Sequence, residues 1–346
     1  MISRESMKKI HIMGKRAHRT PLSYPEYKKI AQRYFEYTPK PEDADFLVFS
    51  FKLDMLENME EVNDLLSKRP DMRLVILSEE PLWDTVWGGE FLSKKSKVLL
   101  GDREHPVVVL NHFTTSIYDY ESIPYFVTTS DDYFARYSYL FSRNRNLKGS
   151  DLTALWGKAS LRAAFYAENR DNPQYDVHFS SLDVWGLSRY RTLVAKGMAG
   201  AGVARVGQGW GETVRRQQLP DWHLDKLAAL DRGVFFASGL ENTHQWNYVS
   251  EKIFDAFAVQ GVPLYFASAD HGVMRLVPPG SFVNLYGLNP DAAIERLKGF
   301  RPDKEFLDRY LEAQFMLHGV FSNSMNLARE RRRIVGEIVA EFEVID

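Results

Sequence analysis

Residues 235–257 read FFASGLENTHQWNYVSEKIFDAF, and this stretch predicts a strand, a polar loop and the start of a helix. Ser250 is a favourable N-cap residue, and Glu251 and Lys252 then fall in the first helical turn. Gly261 is suited to end that helix before the next apolar run. In open α/β sheets ligands bind at the carboxyl ends of the strands, so this loop is the place to look for a site.

The residue types in this loop suit a nucleoside diphosphate. A helix start offers backbone N–H groups and a partial positive charge, and Lys252 adds a full positive charge for an anionic ligand. The Glu251 carboxylate can accept hydrogen bonds from a ribose, while Tyr248 and Asn242 can pack on or hydrogen-bond a nucleotide. The alternative is ordinary capping, in which Glu251 complements the helix dipole and Lys252 is solvated. The spacing alone does not decide between them.

Short apolar runs alternate with amphipathic segments on both sides of this stretch. Such alternation predicts parallel sheets with crossover helices, and therefore an α/β chain with two Rossmann-like halves. The polar segment Arg143–Lys158 is interpreted as the linker. The predicted domains are residues 1–150, residues 151–310, and C-terminal helices over residues 311–346. The predicted strands are Lys9–Met13, Phe46–Phe51, Leu74–Leu77, Val98–Leu100, Val107–Leu110, Arg162–Tyr166, Val234–Ala237 and Val262–Phe266.

Composition excludes several classes of function. The 346 residues carry a net charge of −2, which disfavours a broad nucleic-acid-binding surface, and the absence of cysteine excludes disulfides and zinc-thiolate sites. The nine histidines show no ligand spacing, and the Asp43–Asp45 D-x-D precedes its strand, so no metal is expected. No apolar run approaches about 18 residues, and none at the start resembles a signal peptide, which favours a cytoplasmic protein. The basic amphipathic segment Leu327–Val339 predicts either a solvated face or peripheral contact with anionic lipid.

This loop, the helix after it and the next apolar run resemble the signature of the α-1,3-fucosyltransferases, glycosyltransferase family ten. That signature reads roughly F-E-N-S, six residues, Y-(V/I)-T-E-K, a helix and V-P-(I/V). This chain keeps the spacing from Asn242 to Lys252 without a gap, with Leu240 in place of Phe and with Thr243 and Ser250 as conservative replacements. The segment Val277–Asn284 is similar to the family's later P-x-S-F-(I/V)-x motif.

Two further site assignments rest on this resemblance. The family's first half has a strand that ends in E-S-P, and its carboxylate is the proposed general base. Here Glu79 and Glu80 precede Pro81; Glu80 matches better by distance, and Glu79 stays open as the alternative. The family also has a phosphate-binding arginine on a helix. Simple register places it at Gly186, so Arg189, one turn later, is the candidate substitute.

The resemblance implies a fold of the GT-B type, with two Rossmann-like domains facing across a cleft. It also implies an inverting, metal-independent glycosyltransferase of the bacterial branch, with GDP-fucose as donor. The acceptor would be a glycan of lipopolysaccharide or another cell-envelope oligosaccharide. A GT-B transferase with a galactosyl or mannosyl donor remains an alternative. So does a non-catalytic nucleotide-sugar or glycan-binding module, which would not need a base in the first domain.

Overall fold

The structure is a computed structural model that describes residues 7–81, 92–198, 200, 202–211 and 218–345. Its contacts divide the chain into two compact units. Unit 1 comprises Met1–Glu121, Thr128–Ser130 and Leu327–Asp346, and unit 2 comprises Ser122–Val127 and Asp131–Asn326. These boundaries differ from the predicted ones. Residues 131–150 belong to unit 2, and the predicted C-terminal segment 311–346 is divided between the two units at residue 327.

In the described part of unit 1, six strands form a sheet in the order β2-β1-β3-β4-β6-β5. All neighbours are parallel except the last pair, which is antiparallel. The strands β3 and β4 are continuous apolar runs that are buried on both faces, as expected for the centre of a parallel sheet. The six strands are β1 Lys8–Met13, β2 Phe35–Tyr37, β3 Phe46–Phe49, β4 Arg73–Leu77, β5 Lys95–Leu100 and β6 Arg103–Leu110.

The long C-terminal helix supplies part of the core of unit 1. Its residues Ile334, Val335 and Ile338 are fully buried, and the ring of Phe342 lies 5.2 Å from that of Phe35. The apolar face of the segment proposed for lipid contact is therefore used in folding and is not available for insertion into a bilayer. The helices of this unit are α1 Pro25–Ala31, α2 Lys52–Glu57, α3 Met59–Lys68 and, from its second turn, α13 Ser324–Glu343.

Unit 2 contains, in its described residues, a parallel sheet in the order β10-β7-β11-β13-β14 and a small antiparallel sheet in the order β12-β9-β8. Its strands are β7 Leu161–Tyr166, β8 His178–Phe179, β9 Val184–Gly186, β10 Val203–Val206, β11 Val234–Ser238, β12 Thr243–His244, β13 Val262–Tyr265 and β14 Val283–Asn284. Its helices are α4 Tyr125–Thr128, which ends at the unit boundary, α5 Asp131–Asn144, α6 Gly149–Gly157, α7 Ser188–Gly197, α8 Trp222–Leu230, α9 Glu251–Ala258, α10 Val273–Leu276, α11 Pro290–Gly299 and α12 Lys304–Phe321.

The interpretation of Arg143–Lys158 as an irregular linker is wrong, because α6 occupies most of it. Leu152 and Trp156, one turn apart, are buried on one face of α6, and the Trp156 indole N–H donates to the Gln260 carbonyl oxygen at 2.7 Å. This burial outweighs the polar composition of the segment. The strand β10 likewise lies inside a glycine-rich stretch of the sequence, residues 197–211.

The two parallel sheets with helical crossovers confirm the predicted α/β class with two Rossmann-like halves. Each of the predicted strands overlaps an observed one, and the predicted strand–loop–helix becomes β11, a loop containing β12, and α9. A helix able to cross a bilayer is not found in the part of the chain that the structure describes.

We expect Phe342→Ala to destabilise unit 1 by about 3–5 kcal/mol, because it removes a buried ring that contacts Phe35 and Phe46. Phe315, which is 71% exposed on α12, is the matched control, and its replacement by alanine should change stability by less than about 0.5 kcal/mol. Hydrogen exchange of peptides from β1–β4 under increasing urea measures the effect unit by unit. Equal protection in both variants would contradict it.

Candidate functional site

The start of α9 is held by a buried carboxylate from the preceding loop. Glu241 is 3% exposed, and it accepts hydrogen bonds from the Ser250 backbone N–H at 2.8 Å and from the Ser250 hydroxyl at 2.6 Å. Lys252 Nζ lies 3.0 Å from Glu241 Oε2 and donates to Ser250 Oγ at 2.8 Å. Ser250 does occupy the N-cap position, but its hydroxyl is turned to Glu241 and makes no capping hydrogen bond. We call Glu241, Ser250, Glu251 and Lys252 the helix-start cluster.

Charge is concentrated in this cluster. Burial opposes the charge of Lys252, but the carboxylates of Glu241 and Glu251 outweigh burial and raise the pKa of Lys252. The Glu251 carboxylate lies 3.2 Å from Lys252 Nζ. Lys252 is therefore a fixed, partly buried ammonium group. It is not the solvated side chain of the alternative interpretation.

A second cation reaches the cluster from α7, and it is Arg191. Arg191 is 9% exposed. Its positive charge repels that of Lys252, and the negative charge of Glu241 attracts it. Burial, and then the charge of Arg170, lower the pKa of Arg191. No hydrogen-bond partner for its buried Nε is found among the described residues. An anionic ligand would relieve this uncompensated buried charge.

Arg189, the arginine selected by register, lies elsewhere on α7. Its guanidinium pairs with the carboxylates of Asp171 and Asp176, and the Asp176 carboxylate raises the pKa of Arg189. A signal for Arg191 was present in the sequence, because Arg191 shares its helical face with the apolar residues Leu187 and Val194. An arginine on the core-facing side of a helix needs an anion or a polar site.

The other predicted nucleotide-binding residues lie close to the same loop and helix. The Asn242 carbonyl oxygen accepts from the Leu187 N–H at 2.7 Å, which ties the loop to the start of α7. Tyr248 is buried and meets the ring of Phe126 edge-on at 5.6 Å. The structure thus brings Asn242, Tyr248, Glu251 and Lys252 onto one loop–helix segment and adds Glu241 and Arg191.

One turn into α9, a buried polar network holds the helix in place. The Asp255 carboxylate accepts from Lys226 Nζ at 2.7 Å and from the Tyr137 hydroxyl at 2.6 Å, and His223 Nε2 lies 2.7 Å from it. These side chains come from α5, α8 and α9, and all are at most 5% exposed. Tyr137 also donates to the Glu251 carbonyl oxygen at 3.2 Å. The network therefore reaches the helix-start cluster directly.

The tautomer of His223 is set by its neighbours. Arg136 Nη1 lies 3.0 Å from His223 Nδ1, and a guanidinium has only donors, so Nδ1 must accept. The proton then resides on Nε2, which donates to Asp255. Burial opposes the charge of Asp255, but the charge of Lys226 and the hydrogen bonds from Lys226 and His223 outweigh it and hold its pKa below the usual range.

In unit 1, the two candidate base residues come after β4 and share one arginine. Arg19 Nε lies 2.7 Å from Glu79 Oε1, and Arg19 Nη2 lies 2.6 Å from Glu80 Oε1. The Tyr24 hydroxyl donates to the other Glu79 oxygen at 2.9 Å. The Glu79 side chain is 1% exposed and that of Glu80 is 13% exposed, so the more accessible carboxylate is Glu80. We call Arg19, Tyr24, Glu79 and Glu80 the carboxylate cluster.

Groups of three or more histidine or carboxylate side chains placed to hold a metal ion are not found among the described residues. The sequence patterns do not single out Arg19 or Tyr24 for a role, because neither belongs to the quoted motif. The position of Arg19 after the first strand of a Rossmann-like half is the one available signal.

Comparison with known proteins finds a family whose model matches part of this chain. Residues 202–330 match the family described as "Glycosyltransferase family 10 (fucosyltransferase) C-term". No curated protein matches the chain. A solved α1,3-fucosyltransferase with GDP-fucose is 17% identical with a TM-score of 0.45, covering 95% of this chain and 90% of that one. HepE of Anabaena, solved with UDP and glucose, is 9% identical with a TM-score of 0.38, covering 96% of this chain and 100% of that one.

We expect Lys226→Met to lower the stability of unit 2 by about 3–5 kcal/mol, because it leaves the buried Asp255 without its ammonium partner. Lys304→Met is the matched control, because Lys304 pairs with Asp308 at the surface, and its replacement should change stability little. Urea unfolding read from hydrogen exchange in α8 and α9 measures both. A loss in Lys226→Met no larger than in the control would contradict the role of the network.

Proposed function

We propose that this chain, whose residues 202–330 match glycosyltransferase family 10, transfers fucose from GDP-fucose to a glycan hydroxyl. The observation that carries the proposal is a pair of largely buried cations near the start of α9: Lys252, inside the matched segment, and Arg191, which precedes it in the sequence. The donor's diphosphate is the anion that such a site fits.

On the donor side, Lys252 and Arg191 would bind the diphosphate as it becomes the leaving group. Charge accumulates on the bridging oxygen as the bond to the anomeric carbon breaks, and fixed cations stabilise that charge without reorganising. Glu241 keeps Lys252 in place, because the carboxylate binds both Lys252 and Ser250. We propose that these side chains suffice without a metal, and that Glu251, Asn242 and Tyr248 bind the nucleoside.

On the acceptor side, we propose Glu80 as the general base. The acceptor oxygen forms a bond to the anomeric carbon, the bond to the diphosphate breaks, and the acceptor proton passes to the Glu80 carboxylate. A single displacement of this kind inverts the anomeric centre. A positioned base contributes roughly 10²–10⁴-fold to such a step. Glu79 is less suited to the role, since it is buried and Arg19 and Tyr24 occupy both of its oxygens.

The proposed acceptor is a glycan of lipopolysaccharide or another cell-envelope oligosaccharide, made in a bacterial cytoplasm. This is the class that the family resemblance implies. Where the enzyme meets a membrane, contact would be electrostatic, through exposed arginines such as Arg329 and Arg332 of α13, because the apolar face of that helix is buried.

We expect GDP and GDP-fucose to raise the melting temperature, while UDP, UDP-glucose and NAD do not. A ligand at 100 times its Kd adds about 2.7 kcal/mol of stability to the unit that binds it, a shift of several degrees. Differential scanning fluorimetry over this panel measures the preference. A larger shift with UDP-sugars would overturn the fucosyl donor while leaving a glycosyltransferase.

We expect Arg191→Met to weaken GDP binding by about 10- to 150-fold, the value of a charge-assisted hydrogen bond of roughly 1.5–3 kcal/mol. The unliganded variant should be at least as stable as the wild type, because it no longer buries an uncompensated charge. Arg189→Met, on the same helix, is the control, with GDP affinity within about twofold of wild type. Calorimetric titration decides the matter, and a larger loss in Arg189→Met would restore the assignment by register.

A further inference from the structure

Arg19 joins two carboxylates that are adjacent in the sequence but differ in environment. Through Nε it binds Glu79, which is buried, and through Nη2 it binds Glu80, which is more exposed. The guanidinium also lies over the ring of Phe51, with 5.3 Å from its carbon to the ring centroid. Phe51, which follows β3, and Glu79 and Glu80, which follow β4, therefore fix the side chain of Arg19.

Glu79 serves as the anchor of this arrangement. The Tyr24 hydroxyl holds one of its oxygens and Arg19 holds the other, so rotation of the Glu79 carboxylate would break two hydrogen bonds inside the protein. An unsatisfied buried group is expensive, which keeps Glu79 in place. Because Glu79 is fixed, the second arm of the guanidinium fork has a defined direction, and Glu80 lies along it.

The charges in the cluster also require Arg19. Two carboxylates on consecutive residues repel each other, and one guanidinium between them offsets that repulsion. Burial and the neighbouring Glu80 charge raise the pKa of Glu79, and the charge and hydrogen bond of Arg19 act in the opposite direction. Arg19 is thus a cation that binds both carboxylates.

We propose that Arg19 is a positioning residue for sugar transfer, which aims the carboxylate of Glu80, the proposed base, from the Glu79 anchor. This inference rests on the proposed function, because it takes Glu80 as the group that receives the acceptor proton. It adds a role for a residue outside the family motif and outside the matched segment 202–330.

The test compares Arg19→Gln, Arg19→Lys and Glu80→Gln with wild type in transfer assays at pH 7, together with GDP titration. For Arg19→Gln we expect unchanged GDP affinity and a fall in kcat of at least tenfold, up to the roughly 10²–10⁴-fold that a general base contributes. A loss confined to kcat separates a positioning role from damage to the fold or to donor binding, which would lower GDP affinity as well.

The Arg19→Lys variant separates the effect of the guanidinium's geometry on the direction of Glu80 from the effect of its positive charge. An ammonium group keeps the positive charge but does not present the rigid fork that binds both carboxylates. We therefore expect kcat to fall in Arg19→Lys as well, with unchanged GDP affinity. If Arg19→Gln does not fold, the double variant Arg19→Gln/Glu79→Gln removes the cation and the buried charge together. It should fold and bind GDP, with a low kcat.

Three outcomes would overturn the inference: a wild-type kcat in Arg19→Gln, a loss of GDP affinity in that variant as large as its loss of kcat, or a wild-type kcat in the double variant. The Glu80→Gln variant separates this failure from failure of the proposed function. If Glu80→Gln is inactive while Arg19→Gln behaves as wild type, only the role of Arg19 is wrong. If Glu80→Gln retains full transfer, the assignment of Glu80 as base fails first.

Discussion

The arrangement of this protein depends on carboxylates that are buried and fully hydrogen-bonded. A carboxylate inside a protein has lost its water, so it must be surrounded by donors, and those donors are then fixed in place. Glu241 fixes Ser250 and Lys252 at the start of α9, and Asp255 fixes that helix one turn later. Glu79 does the same for Arg19 and Tyr24 in unit 1. In each unit the residues proposed for chemistry are neighbours of such an anchor, which is how a site can be rigid before its ligand arrives.

The fold could be predicted well from sequence, because buried parallel strands are continuous apolar runs and the helix starts carry recognisable residues. The errors were local and had physical causes. Arg143–Lys158 looked irregular by composition, yet Leu152 and Trp156 bury one face of α6. The motif placed Asn242 on the loop and Lys252 in the first turn of the helix, as in the structure. This was possible because the polar loop and the helix start are recognisable from their residue types. Register along the chain selects Arg189, whereas the fold distinguishes the two arginines of α7 by burial: Arg191 is buried, and Arg189 pairs with Asp171 and Asp176. Similarly, only the fold distinguishes the saturated Glu79 from the more exposed Glu80.

Buried charge also links function with stability in this molecule. The Asp255 network is compensated, with donors from two other helices, α5 and α8, and contributes to holding unit 2 together. Arg191 is not compensated in the same way, since its Nε has no partner among the residues that the structure describes. A site that keeps such a cation is less stable without its ligand than it could be, and gains more when an anion binds. We regard this difference between a complete network and an incomplete one as the clearest sign of where the ligand goes.

Unit 1 is discontinuous in sequence, because α13 brings residues from 327 onward back to strands formed by residues 8–110. During synthesis on the ribosome, the first 121 residues emerge long before the helix that completes their core. At roughly 5–20 residues per second, the intervening 205 residues take about 10–40 s to be made. Over that interval the side chains of Phe35 and Phe46 lack the ring of Phe342. The unit that begins the chain is thus the later of the two to be completed, and shielding of its nascent sheet by a chaperone would matter most in that window.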